Sequence, residues 1–229
     1  MTQAKTEYTT FTFSKPVRMV FSNVLTPRAY EEKGKPKGEP RYDLTVIVAP
    51  DDPDLTRLKA EVIGELKKLY PGKVIVPRRL TQEELDRGDT VEVNVPWKDG
   101  TKEADKRKAD GKDGEVFRGM VAIKMNSKFA PVLAAIENGK VVSYTDDATR
   151  PALKRIFYAG SYVVPYVKLH SYTAKDQKPG GVGLWPESIC FAKHGEKLGG
   201  QGANPAEVFK GYAGNITTEN PVAGEAESW

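Results

Sequence analysis

The sequence holds one cysteine, two histidines and no apolar run approaching a membrane span. Each scarcity closes off a class of function. A single cysteine, Cys190, excludes an internal disulfide framework and fits a reducing compartment. It lies in the apolar run Ser188-Ile189-Cys190-Phe191, where a free thiol packs as a small hydrophobe. A structural zinc site takes about four Cys or His ligands, more than Cys190, His170 and His194 supply, and both histidines read as polar-surface residues. Without about 18 consecutive apolar residues no spanning helix is expected. The polar stretch 1–12 lacks the apolar segment of a signal peptide, so none is expected, and Asn215-Ile216-Thr217 reads as a chance glycosylation triplet. Clustered carboxylates of the kind that hold catalytic metal ions are also scarce. Asp51, Asp52 and Asp54 read as a helix cap and Asp146-Asp147 as a turn. Gly180-Gly181-Val182-Gly183 lacks the Lys-Ser/Thr of a phosphate loop and opens no helix, so it too reads as a turn. The expectation is a protein with no catalytic residues, no metal and no cofactor.

Charge is present in quantity and unevenly placed. The net charge is +4, yet residues 205–229 set Lys210 against Glu207, Glu219, Glu225 and Glu227, a net −3 that leaves +7 on residues 1–204. A basic body with an acidic tail is an asymmetry that suits a polyanionic partner, although +7 alone is weak support.

The hydrophobic pattern is mainly that of strands. In 9–24, Phe11, Phe13, Val17, Met19 and Phe21 share one phase, which predicts a half-buried strand with a bend at Pro16. Residues 31–40 are rich in charge, Gly and Pro and predict a mobile loop. Tyr42, Leu44, Val46 and Val48 alternate as a second strand. Asp52-Pro53 opens a helix carrying Leu55, Leu58, Val62, Leu66 and Leu69 at helical spacing, ended by Pro71-Gly72. Thr81 to Glu84 is a capping box for a short second helix stopped near Gly88. Val91, Val93 and Val95 predict a strand running into Pro96-Trp97. Residues 98–115 contain no apolar side chain except two alanines and predict a solvated loop. Phe117, Val121, Ile123 and Met125 share one phase of a strand over 116–126, with Arg118 and Lys124 on the other. A hairpin turn is expected at 138–143, a long strand at 156–172 and a last strand at 182–192. With no β-α-β alternation, the expected class is mainly β with one or two helices, an OB-type five-stranded antiparallel barrel with long polar loops. Residues 1–200 are expected to form this domain, and 201–229 a flexible acidic tail with a short helix near 205–212.

The segment 156–172 carries the functional reading. Successive strand side chains point to opposite faces. The odd positions, from Phe157 to Ser171, are mostly apolar or small; the even positions include Tyr158, Tyr162, Tyr166, Lys168, His170 and Tyr172. Upstream stand Arg150, Lys154 and Arg155. Tyrosine faces stack on any base, worth about 1–3 kcal/mol each, and Lys and Arg neutralise phosphates. This phase therefore suits sequence-independent single-stranded DNA, with Arg118 and Lys124 as compatible basic positions on another strand. The same stripe also fits an ordinary amphipathic strand, since tyrosine is a favoured strand residue, and Pro165 calls for a bulge or an edge. The tail, with Glu225, Glu227 and the terminal Trp229, has two readings: a ragged end, or an anion that covers a basic groove and docks on a partner.

The order and spacing of several segments resemble the single-stranded-DNA-binding proteins of tailed bacteriophages. The similarity lies in Arg18 to Val24 with Arg41 to Val46, in Val95-Pro96-Trp97-Lys98-Asp99-Gly100, and in Tyr158 to Val164 through Gly181 to Leu184 and Phe191 to Gly200. It implies an OB fold, a DNA groove across the barrel, action in phage replication and recombination in the cytoplasm of the infected host, and an acidic tail ending in an aromatic. Such a tail would reach phage or host replication proteins. Trp229 stands where phenylalanine is commoner in that family. Self-association, a strand-annealing role on the same surface, and a structural or carbohydrate-binding virion protein remain open alternatives.

Overall fold

The computed structural model describes residues 8–32, 35–146, 150–175 and 178–198. The tail and its expected short helix near 205–212 lie outside the described residues. Twelve strands are present among them: β1 (Thr10–Thr12), β2 (Val17–Ser22), β3 (Arg28–Glu32), β4 (Lys35–Val48), β5 (Val74–Val76), β6 (Thr90–Glu92), β7 (Trp97–Asp99), β8 (Val121–Ser127), β9 (Val132–Glu137), β10 (Lys140–Tyr144), β11 (Tyr162–Tyr172) and β12 (Gly181–Lys193). Three α-helices accompany them: α1 (Pro53–Leu69), α2 (Gln82–Arg87) and α3 (Gly100–Ala109).

Ten strands form one sheet in the order β10-β9-β12-β11-β2-β4-β8-β7, with β1 beside β11 and β3 beside β4. The mainly β, OB-like class is as expected. The five-stranded closed barrel is not: β12 packs beside β8 without sharing a ladder, so the curled sheet stays open. The ladders are antiparallel except β9 with β12 and the separate pair β5 with β6. Because α2 lies between β5 and β6 in the chain, one small parallel β-α-β unit exists that the hydrophobic pattern did not announce.

The core follows the pleat. Phe11, Phe13, Val17 and Met19 are buried in the expected phase, but 9–24 divides into β1 and β2, both paired with β11. A register shift between Met19 and Phe21 then turns Val20 into a second cluster with Ile47, Ala104, Phe117 and Ala122. The helix α1 closes the main core with Leu55, Leu58, Val62 and Leu66. Each such leucine is worth about 1.5–3 kcal/mol when fully buried. Asp52 caps α1, accepting from the Asp54 N–H at 2.9 Å. Asp54, almost fully buried, accepts from the Ser14 N–H at 2.7 Å and its hydroxyl at 2.9 Å, tying the β1–β2 link to the helix start. The capping box at Thr81 and Glu84 and the left-handed Gly88 bound α2 as predicted.

Three expectations give way. The described residues of 31–40 lie in strands: β3 and the first half of β4 form a two-stranded arm with a register shift between Arg28 and Tyr30. None of the arm's described side chains is buried, so no apolar alternation reveals it. Residues 98–115 hold α3, capped by Asp99, whose carboxylate accepts from Thr101 N at 2.8 Å. This helix seats itself through Gly100, Ala104 and the Arg107 guanidinium, 4.5 Å from the Phe21 ring centre, and so lacks an apolar stripe. A Cβ on Gly100 would meet the Phe117 carbonyl oxygen at 2.2 Å. Finally, a 3-10 turn at Glu115–Phe117 precedes β8, so Phe117 falls in the second cluster and not in phase with Ile123 and Met125.

Candidate nucleic-acid interface

The strand β11 sets the site. It begins at Tyr162, later than the expected 156, because a 3-10 helix at Arg150–Arg155 and a turn precede it. Val163, Pro165, Val167 and Leu169 are buried, while Tyr162, Tyr166, Lys168, His170 and Tyr172 take the outward phase. The parity reading therefore holds along the strand proper. Pro165 sits between two register shifts, Tyr162/Val163 and Tyr166/Val167, on the ladder to β12.

That ladder brings a second aromatic set to the same face. Lys168 lies opposite Trp185 and His170 opposite Gly183. The Trp185 indole stacks on the His170 imidazole at 4.0 Å between ring centres, with 21° between planes. Tyr172 continues the row at 6.3 Å from His170, and Tyr8 tilts against Trp185 at 5.7 Å. Lys168 Nζ stands 5.7 Å from the Tyr8 ring centre and 2.7 Å from a Glu187 carboxylate oxygen. The hydrogen bond to Glu187 holds the Lys168 ammonium above its usual pKa. Burial, and then the Arg41 charge, push the His170 pKa down. Burial pushes the Tyr172 phenol up, with a hydrogen bond from Asn94 opposing it and Tyr70 adding to it.

From Tyr172 a chain of depressions crosses the sheet, and Lys124 of β8 lines each of them. The first, about 140 Å3, is bounded by Pro96, Lys98, Asn126, Tyr172 and Gly183. The second, about 680 Å3, runs under the β3–β4 arm past Arg28, Tyr30, Arg41, Asp43 and Asn126. The third, about 280 Å3, ends beneath α3 at Phe21, Phe117 and Glu103. Arg41 donates to Asn126 Oδ1 at 3.0 Å, which fixes its head at the groove. The groove mixes signs: Arg28, Arg41, Lys98 and Lys124 against Glu39, Asp43 and Glu103.

The remaining expected residues lie elsewhere. Tyr162 and Arg118 line a separate depression of about 400 Å3 together with Arg18, and Lys193 Nζ stands 4.7 Å from the Tyr162 ring centre. Arg118 is held by Asp105 at 3.0 Å and Glu115 at 3.1 Å. Tyr158 is off the strand. Its hydroxyl donates to the Gly195 carbonyl at 2.8 Å and its ring stacks on His194, which fastens 194–198 to the turn before β11. Gly160, at φ +112°, permits this approach, since a Cβ there would meet the Glu196 carbonyl at 1.9 Å. Lys154 and Arg155 are exposed on the 3-10 helix, with the Arg155 charge acting on Tyr144 of β10. Arg150, a basic neighbour in the sequence, is buried and donates to the Val24 and Pro131 carbonyls. Glu225, Glu227 and Trp229 lie outside the described residues. Trp185, Arg41, Lys98 and Asn126 were not anticipated. Trp185 had a readable signal, since Gly183, Trp185 and Glu187 alternate with buried Val182, Leu184 and Pro186.

A curled, mainly β sheet with an aromatic row beside a groove of mixed charge is an OB-like architecture. The sequence pattern of the Enterobacter phage Enc34 ssDNA-binding protein family matches residues 10–220, and the chain belongs to that family. A search of curated proteins finds no match. Among solved structures, the single-stranded DNA-binding protein from bacteriophage Enc34 superposes with a TM-score of 0.50 at 16% identity, covering 85% of this chain and 87% of that one. The same phage protein in complex with ssDNA gives 0.50 at 18% identity over 80% and 86%. The single-stranded DNA binding protein gp2.5 encoded by bacteriophage T7 gives 0.51 at 15% over 97% and 100%. At these identities the structural likeness establishes the fold. Among the described residues no helix is long and apolar enough to cross a membrane.

Proposed function

We propose that this chain coats single-stranded DNA without catalysis and without a strict sequence requirement, in phage replication and recombination within the host cytoplasm. The observation that carries this reading is the outward row Trp185–His170–Tyr172 at the mouth of the groove lined by Lys124, Lys98 and Arg41. Bases stack on the row, and phosphates meet the cations. Tyr166 and Lys168 extend the row along β11. Tyr162, with Lys193 and Arg18, forms a second station near the start of that strand. Tyr158 acts as a clamp on 194–198, Lys154 and Arg155 add long-range attraction, and Arg118, paired with Asp105 and Glu115, reaches a phosphate only by exchanging one of these partners. The tail residues Glu225, Glu227 and Trp229 compete with DNA for the basic face and reach replication partners; their negative charge, opposite to that of the body, supports this role.

The test is an anisotropy titration of labelled oligo-dT and of a duplex of equal length, at about 50 and about 200 mM salt, with the full chain and a chain ending near residue 200. Oligo-dT is expected to bind more tightly than duplex, weakly at high salt, and more tightly without the tail. Absence of oligo-dT binding at low salt overturns the proposal.

A further inference from the structure

The depression beneath α3 has a composition that phosphate binding alone does not require. It is about 280 Å3 and is lined by Lys98 and Lys124 on one side of the charge balance and by Asp43 and Glu103 on the other. That is near the small end of clefts that hold small molecules, about 300–1,000 Å3. Among the described residues none of these four side chains makes an ion pair within 4.0 Å. Opposite charges that share one cleft and stay apart leave both donors and acceptors free for a guest.

The walls are fixed. Phe21 and Phe117 stack at 5.6 Å, and Arg107 lies 4.5 Å from the Phe21 ring centre. Ala122 forms a buried apolar floor. Asp43 is the most firmly held acceptor. Its Oδ2 accepts from Asn23 Nδ2 at 2.7 Å, and its backbone carbonyl accepts from the Asn23 N–H at 2.9 Å. Its Oδ1 has no hydrogen-bond partner among the described residues. A carboxylate offers about four lone-pair sites, so most of the capacity of Asp43, which lines the cleft, is not taken up by donors of the described residues.

We infer that this pocket seats one unstacked base of the bound strand and prefers guanine, with Asp43 accepting from the base and Lys98 and Lys124 meeting the flanking phosphates. Guanine presents two adjacent donors, N1–H and N2–H, which match the two oxygens of one carboxylate. Adenine and cytosine present one amino donor beside a ring-nitrogen acceptor. Thymine presents one N–H between two carbonyl oxygens, which repel the carboxylate. Reading a displaced base by its Watson–Crick edge within an apolar-walled pocket is an established way of selecting among bases. The inference rests on the single-strand reading above and adds a base preference at one position of an otherwise tolerant track.

The experiment compares affinities of the full chain for oligo-dT, for oligo-dT with one central guanine, and for the same oligomer with hypoxanthine in its place, which lacks the N2 amino group. The guanine oligomer is expected to bind about tenfold more tightly than oligo-dT, with hypoxanthine between them. The Asp43→Asn variant is expected to bring the guanine-to-thymine ratio close to one. Equal affinity of the wild-type chain for all three oligomers overturns the pocket while leaving single-strand binding intact. A ratio that survives Asp43→Asn overturns the role of Asp43. Failure of every oligomer to bind at low salt overturns the single-strand reading itself, and the pocket with it. The hypoxanthine comparison needs no mutation, so the inference stays testable if Asp43→Asn does not fold.

Discussion

The imidazole of His170 lies flat against the indole of Trp185, 4.0 Å between ring centres and 21° between planes. These residues come from the paired strands β11 and β12, and their register sets an ordered aromatic pair on the outer face of the sheet. Because the rings are already ordered against one another, the proposed stacking of a base on this row would cost the protein little freedom.

Replacing Trp185 with Ala is therefore expected to weaken oligo-dT binding by about 1–3 kcal/mol with little change in the salt slope. Lys124→Ala is expected to act the other way, weakening binding mostly at low salt and lowering the slope of log K against log salt by about 1. Titrations of both variants at several salt concentrations separate the two contributions. Equal slopes for Lys124→Ala and wild type would remove Lys124 from the phosphate track.

The Lys168 ammonium is partly spent on Glu187, 2.7 Å away. Freeing it should strengthen phosphate contact. Glu187→Gln is expected to raise affinity severalfold at low salt, an advantage that fades as salt screens the charge. Reduced affinity in this variant at low salt would show that the ion pair positions Lys168 and does not restrain it.

His170 has a folded pKa below the ordinary 6.5, first from burial and then from Arg41. The unfolded chain then binds the proton more readily than the folded one. Stability is complete above about pH 6.5 and is lost as pH falls from there toward the lower folded value. Urea denaturation at pH 7.5 and at mildly acidic pH should show this loss, and His170→Gln should lessen it. Bound phosphate favours the imidazolium, so DNA binding should take up protons in the same window.

Gly100 places α3 against the 115–120 turn with no room for a methyl group: a Cβ would meet the Phe117 and Met120 carbonyl oxygens at 2.2 and 2.4 Å. Gly100→Ala is expected to cost about 1–3 kcal/mol and to expose residues 100–115 to protease. Unchanged denaturation and proteolysis would show that α3 shifts without loss.

What the sequence by itself determined is what depends on neighbours along the chain. The alternation of β11, the cap and apolar stripe of α1 and the capping box of α2 are local patterns of period two, of period 3.6 or of hydrogen bonds within one turn, so they are legible without a partner. The aromatic face of β11 was legible for the same reason, from Tyr162 to Tyr172. The tertiary structure decided the rest. The helix α3 buries only Gly100 and Ala104, and the described side chains of the β3–β4 arm stay unburied, so no period marks either. The start of β11 at Tyr162 came from a 3-10 helix that consumes Lys154 and Arg155, and Arg150 became a buried donor to two carbonyls. The groove itself joins Arg41, Lys98, Lys124 and Tyr172, which are far apart in the chain. Strand order and curl put them side by side, and these follow from burying one shared core, a condition that no short stretch of sequence carries.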